Sequence, residues 1–235
     1  MTLLPLILLL APSLLLAYSP VLPWSQSGTA ITWLLQFPPP YSLPNTILNS
    51  TNINVKESRG RSKGSLYYAH YDTGSSQSYH ELIVTTATLS TTSQVFEGGY
   101  LGYLYVDSED ALELGRDVFG LPKVMAEFEE SVAEGVTTVV VRVEGEEVIT
   151  VVYEAGDCEI NVNANQTSIS SSSTGDLLFT HTPSTFGVSK PKTAEYTTPK
   201  GSELEAVLEG VKVKSAQTLT LVEMNVIAPV IIGTL

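Results

Sequence analysis

The stretch "GRDVFGLPKVMAEFEE", Gly115 to Glu130, decides the reading of this chain. Its first residues close a run with helical spacing, "SEDALELGRDVF", in which Ser108 can act as N-cap and acidic residues fill the first turn, facing the positive end of the helix dipole. Gly-Leu-Pro then forms a turn, and the remainder opens a strand, "MAEFE". This places Lys123 directly after Pro122 and before two apolar residues. A lysine so placed has two readings. It can snorkel, laying its stem on apolar surface with its ammonium in water or against a carboxylate such as Glu127. Alternatively it stands at the floor of a pocket, between Pro122, Val124 and Met125, where desolvation disfavours the charged form and favours a nucleophilic amine.

Outward from this stretch, period-2 and β-branched runs dominate. Strands are predicted at "TAITWLLQF", "SLYYAHYD", "YHELIVTTATL", "YLGYLYVD", "VTTVVVRV", "EVITVVYEA", "CEINVN", "DLLFTH" and "AQTLTLVEMNV". The connection "EGE" between "VTTVVVRV" and "EVITVVYEA" reads as a short hairpin turn. Two helices are predicted, the one ending in the opening stretch and "GSELEAVLEG", capped by Ser202. The segments "QTSISSSSTGD" and "GVSKPKTAEYTTPKGS" read as exposed loops. Many strands with few helices predict a mainly β (α+β), antiparallel sandwich or closed barrel able to enclose a small-molecule pocket.

Composition narrows the function. The chain has 235 residues, 43% of them hydrophobic, which suits one sizeable core spanning residues 21–235. Its formal net charge of −13 repels phosphate backbones and argues against nucleic acid as a partner. The cluster Arg59, Arg61 and Lys63 reads as a solvated loop. Cys158 has no second cysteine to pair with and reads as a small buried strand residue. The three histidines, His70, His80 and His181, lack local metal-ligand spacing, so no metal is expected. Residues 1–20, "MTLLPLILLLAPSLLLAYSP", carry no charged side chain and read as a secretory leader. An uncleaved membrane anchor or an apolar arm in a cytoplasmic protein are the alternatives, and without an anchor no membrane contact is expected. The sequons at Asn49 and Asn165 agree with the secretory route.

The order helix, "GRDVFGLPK", strand, preceded by "YLYVDSEDALE" and further upstream by "YHELIV", resembles the acetoacetate decarboxylase superfamily, with Tyr79 to Phe128 the most specific part. "PWSQSGTAITWLLQF" and "LTLVEMNVIAPV" extend the resemblance from Pro23 to the C-terminus. The resemblance implies a cone-shaped, β-barrel-like fold in which Lys123 matches the Schiff-base lysine, Glu81 a pocket glutamate and Arg116 the motif arginine, expected among the substrate-binding residues. It implies no cofactor, and a homo-oligomer. Three departures stand out. Val124 replaces a second lysine, an acidic residue is replaced near Leu66, and "SGTAITWLLQF" lacks an early pocket arginine. These losses suggest a larger, greasier carbonyl ligand, with Tyr68, Tyr103, Tyr105, Phe119 and Met125 as candidate lining and His70 beside them. His80 is a candidate acid or base, although strand alternation turns it away from Glu81.

Three functions follow as expectations. The first is a lyase that forms an imine at Lys123, with Glu81 moving a proton, for decarboxylation, aldol chemistry or dehydration of a carbonyl substrate, either a β-keto acid or a polyketide-like compound. The second is a non-covalent cyclase or isomerase using the same two residues. The third is a secreted carrier of an apolar ligand.

Overall fold

The computed structural model describes residues 24–74, 78–93, 95–157, 160–172 and 175–234. The leader and Cys158 lie outside these residues. The described elements are, in order, β1 (Trp24–Phe37), α1 (Asn45–Leu48), β2 (Ile53–Val55), β3 (Ser62–Gly74), β4 (Tyr79–Thr91), β5 (Glu97–Val106), α2 (Glu109–Asp117), β6 (Lys123–Met125), β7 (Glu127–Ala133), β8 (Val136–Val143), β9 (Glu146–Glu154), β10 (Ile160–Ser171), β11 (Asp176–Ser189), β12 (Thr193–Thr197), α3 (Glu203–Leu208), β13 (Lys212–Val226) and β14 (Val230–Thr234).

The large sheet closes on itself. Its neighbours run β4-β3-β1-β13-β11-β10-β5, and β5 pairs back onto β4, so these strands form a ring without a free edge. It is a sheet ring rather than a strict barrel, because β5 and β10 meet in parallel over two residue pairs only, Ser168↔Gly99 and Ile169↔Tyr100. Short strands extend it: β2 on β4, β6 on β5 and β14 on β11.

A second sheet, β12-β9-β8-β7, covers part of the ring's outer face. The alternation of side chains explains why. On β3 and β4 the even-numbered Leu66, Tyr68, Leu82 and Val84 point outward, and they pack with Trp33 against Val139, Val141, Ile149 and Val151. Burying each such side chain contributes about 1.5–3 kcal/mol. The odd-numbered positions of the same strands therefore face the inside of the ring. Two hairpin turns build the outer sheet, Glu134-Gly135 (φ 52° and 83°) and Glu144-Gly145 (φ 53° and 82°). Paired positive φ values are the signature of the type I′ turn that matches strand twist, and the second turn is the predicted "EGE" connection.

Among the described residues the predicted strands and both predicted helices are present, with "CEINVN" described from Ile160 on. Ser108 Oγ accepts from the Ala111 N–H at 3.3 Å and Ser202 Oγ from the Glu205 N–H at 3.1 Å, as the capping pattern requires. Two predicted loops are largely strand instead. "QTSISSSSTGD" continues β10 to Ser171, because Ile169 is fully buried and Ser170 satisfies its hydroxyl on the Phe119 carbonyl at 3.0 Å. "GVSKPKTAEYTTPKGS" contains the end of β11 and all of β12, which pairs with β9. The basic cluster is not simply a solvated loop either. Lys63 lies in β3, and Arg61 Nη1 donates to the carbonyls of Gln36 and Gly210, both at 3.0 Å. A short third helix, α1, buries Ile47. Asn49 and Asn165 are both exposed.

Candidate active site

The ring encloses a cavity of about 430 Å³, within the size range of small-molecule sites. Lys123 and Glu81 supply the only ionisable acid and base among its described lining residues, apart from tyrosine hydroxyls. Both are buried, at 7% and 6% exposure, and Lys123 Nζ donates to Glu81 Oε1 at 2.6 Å. The rest of the wall is neutral: Gln26, Gln166, Gln217, threonines and serines on one side, and leucines, Phe119, Phe186 and Met224 elsewhere.

The opening stretch of sequence is a device for aiming Lys123. Helix α2 ends over β6, and the Leu121 N–H reaches back to the Gly115 carbonyl at 2.9 Å. Gly120 takes a left-handed conformation (φ 58°) that glycine adopts without strain. Lys123 then donates its own N–H to the Leu121 carbonyl at 2.8 Å and pairs in parallel with Leu104 of β5. Gly115 leaves the space through which the lysine stem passes. A Cβ there would lie 2.4 Å from Lys123 Cδ and 2.6 Å from Cε. Arg116, expected at the substrate, is exposed and instead donates from Nε to the Lys123 carbonyl at 2.9 Å.

Glu81 is held from the other side by tyrosines. Tyr71 donates to Glu81 Oε2 at 3.3 Å, and its hydroxyl lies 3.4 Å from that of Tyr67. Burial, with each other's charge and that of Glu81 as further causes, holds the Tyr71 phenol well above its ordinary value. Burial raises Tyr67 as well, with its hydrogen bond to Tyr71 opposing and the charge of Glu81 adding to the rise. Both therefore keep their protons at neutral pH and serve as donors. Gln26 Nε2 donates to the Tyr79 hydroxyl beside them.

Of the lining residues expected from sequence, Phe119 faces the cavity, while Tyr68, His70, Tyr103, Tyr105 and Met125 do not. The reason is strand parity. Ala69 stands opposite Glu81 across β3 and β4, so Tyr67 and Tyr71 share the face of Glu81 and Tyr68 and His70 take the other. Tyr68 joins the outer core, Tyr103 meets Ser42 Oγ at 3.1 Å, and Met125 is 40% exposed. Val124 also points away from the cavity, at 37% exposure. The missed residues were recoverable from sequence only by fixing the β3–β4 register first. As expected from alternation, His80 lies opposite the Glu81 face, where its Nδ1 meets Asp107 Oδ2 at 2.6 Å.

Residues 52–221 match the model of the family described as acetoacetate decarboxylase. The fold agrees with solved structures. Acetoacetate decarboxylase from Legionella pneumophila has a TM-score of 0.61 at 10% identity, over 90% of this chain and 88% of that one. The enduracididine biosynthesis enzyme MppR, complexed with the condensation product of pyruvate and imidazole 4-carboxaldehyde, has a TM-score of 0.56 at 10% identity, over 90% and 89%. An acetoacetate decarboxylase-like enzyme from Sphingomonas wittichii RW1 has a TM-score of 0.55 at 13% identity, over 91% and 94%. No curated protein matches the chain. A match over most of the chain, a ring-shaped fold shared with these enzymes and a helix-turn-strand that delivers one lysine to the interior together place this chain in the acetoacetate decarboxylase family.

Proposed function

We propose that this protein is a lyase that binds a carbonyl compound as an imine on Lys123, with Glu81 as the proton-transfer group. One observation carries the reading: the buried pair at 2.6 Å is the sole acid and base, tyrosines aside, among the described lining residues, which are otherwise neutral. The steps balance within that pair. Glu81 takes a proton from the Lys123 ammonium, and the freed lone pair attacks the carbonyl carbon while the C=O π electrons move to oxygen. That oxygen takes the proton back from Glu81 and a second from nitrogen, and leaves as water, with the iminium left behind. The Glu81 carboxylate then removes a proton from the adjacent carbon, whose electron pair flows into the iminium to give an enamine. The enamine adds to a second carbonyl or is reprotonated, and hydrolysis returns the amine. Tyr71, which keeps its proton, orients Glu81 throughout.

The neutral wall also selects among reactions. The described lining holds no guanidinium and no second ammonium, and the charge of Lys123 is already balanced by Glu81. A substrate carboxylate would enter without a counter-ion, at a cost of several kcal/mol. The proposed substrate is therefore a ketone or aldehyde with an uncharged, partly apolar body, and the proposed chemistry is proton loss and carbon–carbon bond formation or cleavage rather than decarboxylation. The MppR complex with a carbonyl condensation product supports that chemistry on this fold. A second reading rests on the same short hydrogen bond. Lys123 as donor and Glu81 as base form a ready pair for non-covalent cyclisation or isomerisation.

Borohydride reduction in the presence of a panel of uncharged ketones and aldehydes and of 2-keto acids separates the two. The lyase reading expects a mass increment mapped to Lys123, larger with the uncharged compounds and lost in Lys123→Arg. No increment with any compound, together with turnover retained in Lys123→Arg, would leave the non-covalent reading standing.

A further inference from the structure

On the opposite face of β3 and β4 from the cavity lies a second constellation. His70 and His80 are ten residues apart in sequence but directly opposite in the antiparallel register, with ring centroids 4.2 Å apart. Glu130 of β7 reaches them from the outer sheet. Its Oε2 lies 3.6 Å from His70 Nδ1 and 3.8 Å from His80 Nε2. One ligand atom from each of the three residues falls within 4.8 Å of the other two. We propose that His70, His80 and Glu130 form a binding site for a divalent first-row transition metal of the zinc class.

Three features argue for a metal rather than a chance cluster. His80 Nε2 is buried and has no described hydrogen-bond partner, although it faces a carboxylate oxygen just out of range. Each ring has its other nitrogen on an oxygen: His80 Nδ1 on Asp107 Oδ2 at 2.6 Å and His70 Nε2 on Ser78 Oγ at 3.2 Å. That outer contact fixes the ring and turns the free nitrogen inward, as in carboxylate–histidine–metal sites. Finally, metal–ligand bonds of about 2.1 Å put tetrahedral ligand atoms about 3.4 Å apart, so the Glu130 spacings need close by only a few tenths of an ångström. Tyr68 donates to the same Glu130 oxygen and Phe128 stacks on His80 with centroids 5.5 Å apart, which holds both ligands in place.

Two imidazoles and one carboxylate suit Zn²⁺, Co²⁺ or Ni²⁺ better than Ca²⁺ or Mg²⁺, which prefer all-oxygen shells. Three protein ligands leave a position for water, and the His70 side chain, 29% exposed, places that position toward solvent. The ion would also join the two sheets, since its ligands come from β3, β4 and β7. The absence of local histidine spacing, from which no metal was expected, is bypassed by strand pairing.

The test uses the full chain after chelator treatment, titrated with Zn²⁺ by calorimetry and with Co²⁺ by visible absorption. The expected result is one ion per chain, a low-symmetry Co²⁺ spectrum, and a melting temperature raised by roughly 5–10 °C at a hundredfold excess over Kd. His70→Gln and Glu130→Gln should each weaken binding on the order of 100-fold, and Asp107→Asn about 10-fold or more, with circular dichroism unchanged. Asp107→Asn touches no proposed ligand position, so it remains informative if a ligand variant fails to fold. Binding that survives all three substitutions, or no saturable binding of either ion, overturns the proposal.

Discussion

Gly115→Ala tests the claim that the end of α2 aims the lysine. The added Cβ falls 2.4 Å from Lys123 Cδ, 2.6 Å from Cε and 3.1 Å from Cγ. Carbon atoms rest at about 3.5–4.0 Å, so the stem must retreat by about 1 Å or more. The stem is flexible and the helix gains a better helix former, worth about 1 kcal/mol, against roughly 1–3 kcal/mol for overpacking. Net stability should therefore fall by no more than about 2 kcal/mol, or roughly 4–8 °C in melting temperature. The tip cannot retreat so cheaply, because Nζ is held on Glu81 at 2.6 Å. A displacement of about 1 Å at the reacting atom costs on the order of 100-fold in rate. The assay is the initial rate of imine trapping at Lys123 with a small aldehyde under cyanoborohydride, run beside thermal denaturation. A folded Gly115→Ala protein that traps at the wild-type rate would refute the aiming argument, whatever the natural substrate.

Glu81→Gln keeps the shape of the side chain but leaves Lys123 buried without its counter-ion, a loss of about 3–5 kcal/mol, seen as a fall in melting temperature that Lys123→Met in the same chain largely reverses. An unchanged melting temperature in the single variant would show that the pair is not a buried ion pair. Gly28→Ala should prevent folding at ordinary temperature. Its Cβ would stand 2.1 Å from the His70 carbonyl oxygen and 2.9 Å from Tyr71 Cα, at φ 153°, and these are backbone atoms of β3 that cannot swing aside as a side chain can; a soluble, cooperatively melting variant contradicts this. Alkaline unfolding is also expected. Burial pushes Tyr153 up to about 12 from an ordinary 10.0, pushes Tyr67, Tyr68 and Tyr105 higher still, and holds Tyr71 well above its ordinary value. A raised folded value means that stability is complete below pH 10 and drains away as pH rises through the folded values, so circular dichroism and tyrosinate absorbance should change together above about pH 10. Tyrosinate absorbance that follows ordinary exposed phenols while the fold stays intact would contradict the burial.

What could be read from the chain before its structure depended on whether the signal was local. The helix caps at Ser108 and Ser202, the turn at Gly145 and the alternating strands are local patterns, and they lie where the residues predict. The turn that presents Lys123 is also local, because helix end, glycine and proline are consecutive. Only the second half of β10, from Gln166 onward, reads as a loop, because its serines look polar, yet Ser170 is buried with its hydroxyl bonded to a carbonyl. Which tyrosines line the cavity is not local information. It depends on the β3–β4 register, where shifting one residue exchanges Tyr67 and Tyr71 for Tyr68 and His70. The same register, invisible in sequence spacing, sets His70 against His80.

Strand parity also decides where the cavity's chemical character comes from. Were β6 shifted by one residue, Val124 would face inward and the lysine would be lost to solvent. Backbone contacts prevent the slip: the Lys123 N–H on Leu121, the Lys123 carbonyl under Arg116 Nε, and the Ala126 N–H on the Val106 carbonyl at 2.9 Å. Arg116 thus holds the lysine's backbone and does not line the cavity. Because Val124 points out, its apolar side chain is not what keeps the interior neutral. The neutrality comes from the inward positions of β1, β3 and β13, where Gln26, Thr32, Leu34, Ser65, Tyr67 and Gln217 stand and no cation does among the described lining residues. In the proposed reaction, substrate preference would therefore rest on the wall strands and the nucleophile on the lysine turn, and changing one should leave the other's geometry in place.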